Sequence, residues 1–539
     1  MQQPILNTVD EQDSKQLFSF NPNTGELVGS VAISGKEEVT TAVARARDAQ
    51  AGWAARTLKA RIKVMRQIQE ALVDHAAEIS TQVSQEMGKC ETDTFMGDAL
   101  IVLTSLTGYL KLAPTVLRTR PSRSGLLHLN KRTQIVREPL GVIAIISPFN
   151  FPVLLSLQSA FAALIAGNAV VHKPSEYAPL TALKIQELFR NAGLPRDLFQ
   201  VVTGAGETGW ELVHAGVDHI SFVGSSKTGR KVAAAAGEQL IPATLELGGK
   251  NGMIVLNDAP LSRAVDGALT YAFVANGQTC TAINRIYVQK AIAAEFTSLL
   301  QERVAKRTVS TNVRADHGDI TALINEESAL HVEGQVNEAV AEGARILCGG
   351  KRLEGCDAAV YLPTILVDVT AEMRVVREET FGPVLSVMEI ADVKEAIKQV
   401  NNSPYGLTAS VWTRDNDLAW MIARKLKVAT VAVNDHMWPF FAPEVPWGGI
   451  KASGLGRVGG AEGLQSMTYQ KVISFDRFNL PRELYWYPRP KWLYFALLLL
   501  VPILYSRKPE KRARALIELI TGLQKQRKSA THDRAENSH

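Results

Sequence analysis

The sequence predicts an α/β protein built on doubly wound parallel sheets, in two halves with a cleft between them. Three observations carry that reading. The chain has 539 residues, too many for one compact core, so two or three domains are expected. From Gly141 onward, short apolar runs alternate with segments of helical periodicity. That is the pattern of strands buried on both faces and covered by crossover helices. A second series of the same kind follows Cys280.

In chain order, Met1–Asp10 is polar and carries no secretory apolar core, so the body of the chain reads as cytoplasmic. Between Lys36 and Ala113 apolar residues recur at three- and four-residue steps, as in Glu37–Arg47 and Ile62–Leu72, and predict helices. Leu126–Val136 loosely alternates apolar and polar residues, the signal of an exposed antiparallel strand or hairpin. Gly141–Ser147 is apolar and ends at Pro148, as a buried parallel strand does. A helix over Leu154–Ile165, a strand over Ala169–Lys173 and a helix over Leu180–Ala192 follow, then strands over Leu198–Val202 and His219–Val223. A Gly-Ser turn then leads into a helix from Gly229. Beyond Cys280, Arg285–Val288, Pro383–Val387 and Thr408–Trp412 read as strands.

Composition excludes several classes. Hydrophobic residues at 46% and charged residues at 21% are ordinary for a globular chain. The net charge of +5 is small for this length and collects near the C-terminus, so no nucleic-acid footprint is indicated. Four cysteines, Cys90, Cys280, Cys348 and Cys356, make no disulfide framework in so long a chain. No Cys-x-x-Cys or His-x-x-x-His spacing points to a metal.

Several residues carry chemistry. Cys280 has Gly277, Gln278, Thr279 and Thr281 around it rather than aliphatic bulk, which suits a thiol reached by a substrate; a small inert core cysteine is the other reading. Phe222–Gly229 lies between a strand and a helix, where glycine and a helix N-terminus favour phosphate, or where Ser225 simply caps the helix. Lys173 and Glu176 close a strand, either to hold ribose hydroxyls or as a solvated charge pair. Glu246 stands in an apolar run beside Gly248 and Gly249, as a buried general base or as a member of a structural ion pair. Asn150 follows a buried strand, as a donor to a developing oxyanion or as a turn asparagine.

Taken together and in order, Ser147–Pro152, Lys173–Glu176, Phe222–Gly229, Leu245–Lys250, Gly277–Cys280, Glu378–Pro383 and Pro446–Arg457 resemble the motifs of the aldehyde dehydrogenase superfamily, over about residues 18–478. The resemblance implies a Rossmann-like cofactor domain over 1–120 and 140–247, a catalytic domain over 248–465, and a small antiparallel bridging and oligomerisation element from 121–139 and 466–480. It implies that Cys280 is the nucleophile, that Asn150 and the Cys280 backbone N–H hold the oxyanion, and that Glu246 activates water on the thioester. It assigns Lys173 and Glu176 to the adenine ribose, Ser225 to the pyrophosphate, and Glu379 with Phe381 to the nicotinamide ribose. Ser147, Phe149, Ser175, Gly224, Gly229, Leu247 and Gly248 complete the cofactor set. NAD is favoured over NADP because the Glu176 carboxylate repels a 2′-phosphate. Members that pass the acyl group to coenzyme A usually lack the glutamate, so Glu246 favours hydrolysis to the free acid. The partners implied are a small-molecule aldehyde, water and a second copy of the chain, as homodimer or homotetramer; no metal is implied.

Two departures stand out: Trp447 replaces the usual phenylalanine, and Val458 the usual glutamate. By motif spacing Phe151, Leu155, Phe441 and Trp447 line the aldehyde funnel. That apolar wall favours an aliphatic or aromatic aldehyde over succinate semialdehyde. The chain then continues as a tail, 481–539. Trp492–Tyr505 is continuously apolar, with Arg489 and Lys491 before it and Arg507, Lys508, Lys511, Arg512 and Arg514 after. As a helix it spans about 21 Å, short of a hydrocarbon core of about 30 Å, and Pro502 interrupts it. Leu516, Leu519, Ile520 and Leu523 add an apolar stripe among basic residues. Residues 485–525 therefore read as an interfacial membrane anchor, with packing on a neighbouring subunit as the alternative. A membrane-bound scaffold with secondary catalysis is the rival reading of the whole.

Overall fold

The computed structural model describes residues 15–122, 130–313, 318–479, 481–483 and 485–536. The polar Met1–Asp10, the first four residues of the Leu126–Val136 stretch and the side chain of Leu523 lie outside the described residues.

Two mostly parallel sheets organise the chain, so the expected α/β class is what the structure has. The first holds six strands in the order Gly454–Leu455, Ala243–Glu246, His219–Val223, Val142–Ile146, Ala169–Lys173, Phe199–Val201. All its pairings are parallel except the edge pair of Gly454–Leu455 with Ala243–Glu246. Val142–Ile146 and Ala169–Lys173 are buried at every residue, as central strands covered on both faces must be. The helix Pro152–Ala166 is likewise buried throughout; a helix apolar all round belongs inside a core rather than on it. Pro152 starts it, and Gly167, at φ 107°, ends it in the left-handed conformation that glycine adopts without strain.

The second sheet has seven strands: Arg345–Cys348, Thr364–Val367, Val384–Ile390, Ile283–Gln289, Asn251–Val255, Thr408–Trp412, Thr430–Val433. Only its Arg345–Cys348 edge is antiparallel. Met253 and Val255 enter one hydrophobic cluster while Ile254 and Leu256 enter another, the two-residue period of a strand covered on both faces. The run Asn251–Val255 carries no sequence-level strand signal of its own because Gly248, Gly249 and Gly252 break its apolar pattern.

The helical stretch resolves into Lys36–Ala54, Leu58–Asp74, Ala76–Met87 and a continuous helix from Glu91 to Val116. That last helix has the length and composition to cross a membrane, but half of its apolar window is buried and it packs on Pro152–Ala166 within the fold. It contains a π-helical turn, Met96–Leu100. Most expected boundaries shift by one to three residues. The helix placed at Gly229 begins at Ser226, because the Ser225 hydroxyl accepts the Thr228 N–H at 3.2 Å and caps it.

A three-stranded sheet is ordered Thr468–Asp476, Lys131–Pro139, Arg120–Ser122. The chain divides into two compact units, one of Met1–Arg120 with Ile135–Val472, the other of Pro121–Gln134 with Ile473–His539. In the second unit Lys131 pairs with Asp476 at 2.8 Å and with Glu483, and Asn130 donates to Glu483. Its tail forms two helices, Leu493–Tyr505 and Pro509–Glu536, that pack together.

Candidate active site

A cavity of about 1340 Å3 opens within the first unit where its parallel strands end. The residues just after Val142–Ile146, at the end of Ala169–Lys173, after His219–Val223 and after Ala243–Glu246 all line it. Ligand sites in open α/β sheets form at these carboxyl ends. Cys280, Glu246 and Asn150, distant in sequence, meet on its wall.

Asn150 is 4% exposed, and its amide donates one N–H to the Gln278 carbonyl at 2.8 Å, leaving its second N–H for a ligand. The loop bearing Cys280 is held unusually firmly. Ala275 and Asn276 are both left-handed, at φ 52° and 59°, a conformation costly for alanine. The Asp93 carboxylate fixes Ala275 through its N–H, and Asn276 exchanges hydrogen bonds with Thr321 and Ala322. Asn251 donates to the carbonyls of Cys280 and Ala282. Gly277, at φ 71°, passes so near Gly382 that a Cβ would stand 2.3 Å from its carbonyl oxygen.

The polar sequence context of Cys280 does not describe its surroundings. The residue is partly exposed, yet it packs against the apolar cluster of Leu407, Trp447 and Val458, on which Phe440 also packs. Burial drives its thiol well above the ordinary range, and the carboxylates of Glu246 and Glu379 push it further. The thiol is therefore protonated at rest, and its ionisation depends on what enters the site. Glu246, 5% exposed at a strand end, makes no ion pair among the described residues. Burial raises its carboxyl to about 8, with the Trp447 indole and the Arg457 charge pulling downward. The Trp447 Nε1 has no formed hydrogen bond among the described residues, yet it lies near enough to Glu246 to favour the charged carboxylate.

Of the expected cofactor residues, Ser147, Phe149, Lys173, Ser175, Glu176, Gly224, Ser225, Leu247, Gly248, Glu379 and Phe381 all line the cavity. Gly229 does not; a Cβ there would strike Leu247 at 2.4 Å, so it seats that side chain at the wall. Ser147 is held by His172 at 2.8 Å, and burial lowers His172 to about 3, so its ring stays neutral. Lys173 and Glu176 stand 3.7 Å apart. Glu379 accepts the Gly249 N–H at 3.0 Å and lies so near Gly248 that a Cβ there would come within 2.2 Å of its carboxylate. Phe381 is left-handed, at φ 51°, and meets Phe149 edge-to-face at 5.8 Å.

The four funnel residues are not brought together on this cavity. Leu155 lines it. Trp447 is 1% exposed, in the cluster against which Cys280 packs, and edge-on to Phe440. Phe151 is buried beneath the Lys89 ammonium, 4.1 Å from its ring, and Phe441 packs on the first core. Conversely, Trp210, Lys227, Arg230, Lys231, His331 and Tyr405 line the cavity without having been singled out. The three basic residues lie in the Gly-Ser turn and the helix it starts, so their charge was a readable signal. Trp210, His331 and Tyr405 come from segments without any motif.

A family model described as the aldehyde dehydrogenase family matches residues 8–473. The chain is 38% identical over 473 residues to a 4,4′-diapolycopene aldehyde oxidase of Methylomonas sp, covering 88% of each chain. It is 36% identical over 460 residues to a putative succinate-semialdehyde dehydrogenase (NADP(+)) 2 of Mycobacterium ulcerans, covering 85% of this chain and 88% of that one. Among solved structures it resembles betaine aldehyde dehydrogenase of Staphylococcus aureus in complex with NAD+, with TM-score 0.84 and 32% identity, covering 89% of this chain and 95% of that one. It also resembles the Mycobacterium tuberculosis aldehyde dehydrogenase complexed with NAD+, with TM-score 0.81 and 33% identity, covering 85% and 94%.

Proposed function

The chain belongs to the aldehyde dehydrogenase family, and we propose that it oxidises a lipophilic aldehyde to the free carboxylic acid through Cys280. It is an oxidoreductase acting on aldehydes, with NAD as its cofactor and NADP as the alternative.

The residues present fit a dinucleotide. Lys173, Glu176, Glu379 and Phe381 all line the one cavity of about 1340 Å3, and the capped N-terminus of helix Ser226–Glu238 opens into it. In this reading Lys173 and Glu176 hold the adenine ribose, Ser225 the pyrophosphate, and Glu379 and Phe381 the nicotinamide ribose. Bound NAD supplies the hydride acceptor.

The chain does the remaining work. The Cys280 thiol releases its proton to solvent, its sulfur adds to the aldehyde carbon, and the carbonyl electron pair moves onto oxygen. The free Asn150 N–H and the Cys280 backbone N–H stabilise that oxyanion, an interaction worth about 3 kcal/mol per donor in comparable sites. After oxidation to the thioester, Glu246 takes a proton from water as the water oxygen joins the acyl carbon. The C–S bond then breaks, releasing the acid and restoring Cys280.

The apolar cluster of Leu407, Trp447 and Val458 against which Cys280 packs carries the substrate reading. The Lys89 ammonium beneath Asn150 is already committed to Asp98, so it offers no charge to a carboxylate-bearing substrate. Exposed Met96, Leu100 and Trp438 add apolar surface on neighbouring elements. Succinate semialdehyde is the second reading, supported by the names of mycobacterial relatives. A series of straight-chain aldehydes decides between them. In the lipophilic reading kcat/KM rises about fourfold per methylene, at about 0.8 kcal/mol each, and exceeds that for succinate semialdehyde. Preference for succinate semialdehyde overturns it. Cys280→Ala, still folded, forms no NADH from any aldehyde.

Two further parts of the proposal concern partners. The strand Thr468–Asp476 exposes Tyr469, Val472 and Phe475, which supports a homo-oligomer and is checked by light scattering on the full chain. The basic, apolar tail supports association with a membrane surface.

A further inference from the structure

We propose that the buried Lys89–Asp98 ion pair is a positioning device for Asn150, fixing the turn that aims its amide at the oxyanion; this rests on the reading of Asn150 as the oxyanion donor. The two charges meet at 2.9 Å with side-chain exposures of 2% and 0%. Removing two charges from water is costly, and an apolar pair of similar volume commonly fills such a space as well or better. Burial of this pair therefore points to the polar contacts it makes, which apolar side chains could not.

The hydrogen bonds show the task. Besides Asp98, the Lys89 ammonium donates to the backbone carbonyl of Asn150 at 2.6 Å and lies over the Phe151 ring. Asp98 Oδ1 accepts the N–H groups of Val153 and Leu154, at 3.1 and 3.2 Å, the first turn of helix Pro152–Ala166. The pair thus grips the Ser147–Pro152 turn on both sides of Asn150, at its own carbonyl and at the helix that follows. The Asn150 amide is tied in turn to Gln278, two residues before Cys280. Donor and nucleophile are held to one another through this chain of bonds.

Local backbone is shaped to bring the two charges there. Gly88, at φ 65°, ends helix Ala76–Met87 and turns Lys89 inward, where its own carbonyl accepts the Ser84 hydroxyl. Asp98 sits in the π-helical turn Met96–Leu100, a feature frequent at functional sites. Within that turn, Gly97 lies so close to Phe151 that a Cβ would stand 2.6 Å from the ring.

The test uses the full-length protein and the double variant Lys89→Met/Asp98→Leu, which removes both charges and approximates their volume. Lys89→Met alone leaves Asp98 buried without its partner and lowers the Tm, while the double variant recovers it. With Tm and KM for NAD near wild type, the double variant shows kcat and aldehyde kcat/KM reduced tenfold or more. Asn150→Ala, strongly impaired in the wild-type background, costs less than twofold in the double variant, because the amide there is already misplaced. A double variant with wild-type kcat overturns the proposal, as does an undiminished Asn150→Ala effect. If Asn150→Ala leaves wild-type kcat unchanged, the oxyanion reading falls and this proposal with it. Should the double variant fail to fold, Asp98→Asn, which keeps the volume and a carbonyl acceptor, is read for the same kcat loss, and an unchanged kcat overturns it.

Discussion

Glu246 must lose its proton to act as a base, and burial holds its carboxyl at about 8. Hydrolysis of the acyl-Cys280 therefore accelerates as pH rises through about 8, and Glu246→Gln leaves a single-turnover burst of NADH without steady production. The same shift has a stability sign. The carboxyl binds its proton more tightly folded than unfolded, with an ordinary value of 4.5. Its contribution is fully present below pH 4.5 and is lost as pH rises through about 8. Glu246→Gln, which cannot ionise, should then gain thermal stability over wild type at pH 9 and much less at pH 5, as scanning fluorimetry reads; equal gains at both pH values refute the buried-carboxyl account. Trp447→Phe removes the indole dipole that draws this carboxyl downward, so the steady-state pH profile moves to more alkaline pH. At the other wall, Glu176→Ala narrows the preference for NAD over NADP. The carboxylate that repels a 2′-phosphate is then gone, while Lys173 and the cavity-lining Arg230 and Lys231 remain. An unchanged ratio of kcat/KM values removes Glu176 from that role.

At the scale of the elements, the loop before Cys280 stores strain. Ala275 at φ 52° costs about 1–2 kcal/mol relative to a residue that accepts the left-handed region. Glycine removes that cost but adds about 0.5–1 kcal/mol of chain entropy. Ala275→Gly should therefore raise the denaturation midpoint slightly while lowering kcat several-fold, since the loop no longer holds the sulfur rigidly. A lowered midpoint would show that the conformation is not strained. Nothing in the sequence announces this loop, because alanine gives no sign of a positive φ, whereas Gly277 and the motif around Cys280 are plain. The same divide runs through the fold. The strands Val142–Ile146 and Ala169–Lys173 are legible because burial on both faces demands unbroken apolar runs. Asn251–Val255 is hidden by the glycines that let Cys280 and Glu379 approach. Glu246, Asn150 and Cys280 were legible as motif residues. Lys89 and Asp98 were not, since a lysine and an aspartate in a helical stretch look like solvated surface until the turn they grip is seen. Trp447 was legible as a departure, but motif spacing gives a position along the chain and not its burial, so its place in the apolar cluster against Cys280 had to come from the structure.

At the scale of the whole chain, the proposed membrane association of the tail makes a prediction about where the enzyme meets its substrate. Helix Leu493–Tyr505 buries only Ala496 and Leu499 and exposes Tyr494, Phe495, Leu498, Val501 and Tyr505. With 13 residues it reaches about 20 Å, too short for a hydrocarbon core of about 30 Å. Exposed Tyr485, Trp486 and Tyr487 precede it, residues suited to the headgroup region. Arg507, Lys508, Lys511 and Arg514 follow it, and Arg512 folds back to donate to the carbonyls of Ile503 and Leu504. An apolar helix too short to span, edged by aromatics and cations, fits the plane of an anionic interface. There each basic residue near the surface adds about 1 kcal/mol, screened by salt. The full-length protein should therefore float with phosphatidylglycerol-containing vesicles, less with phosphatidylcholine alone, and less again at high salt. Leu498→Asp/Val501→Asp should abolish flotation and leave oxidation of a short, water-soluble aldehyde unchanged. The two scales meet in one assay. With a long-chain aldehyde dissolved in anionic vesicles, the wild type should turn over faster than that variant, because enzyme and substrate share a surface. With the short aldehyde the two should be equal. Equal rates with the long-chain aldehyde would mean that the tail serves something other than substrate capture.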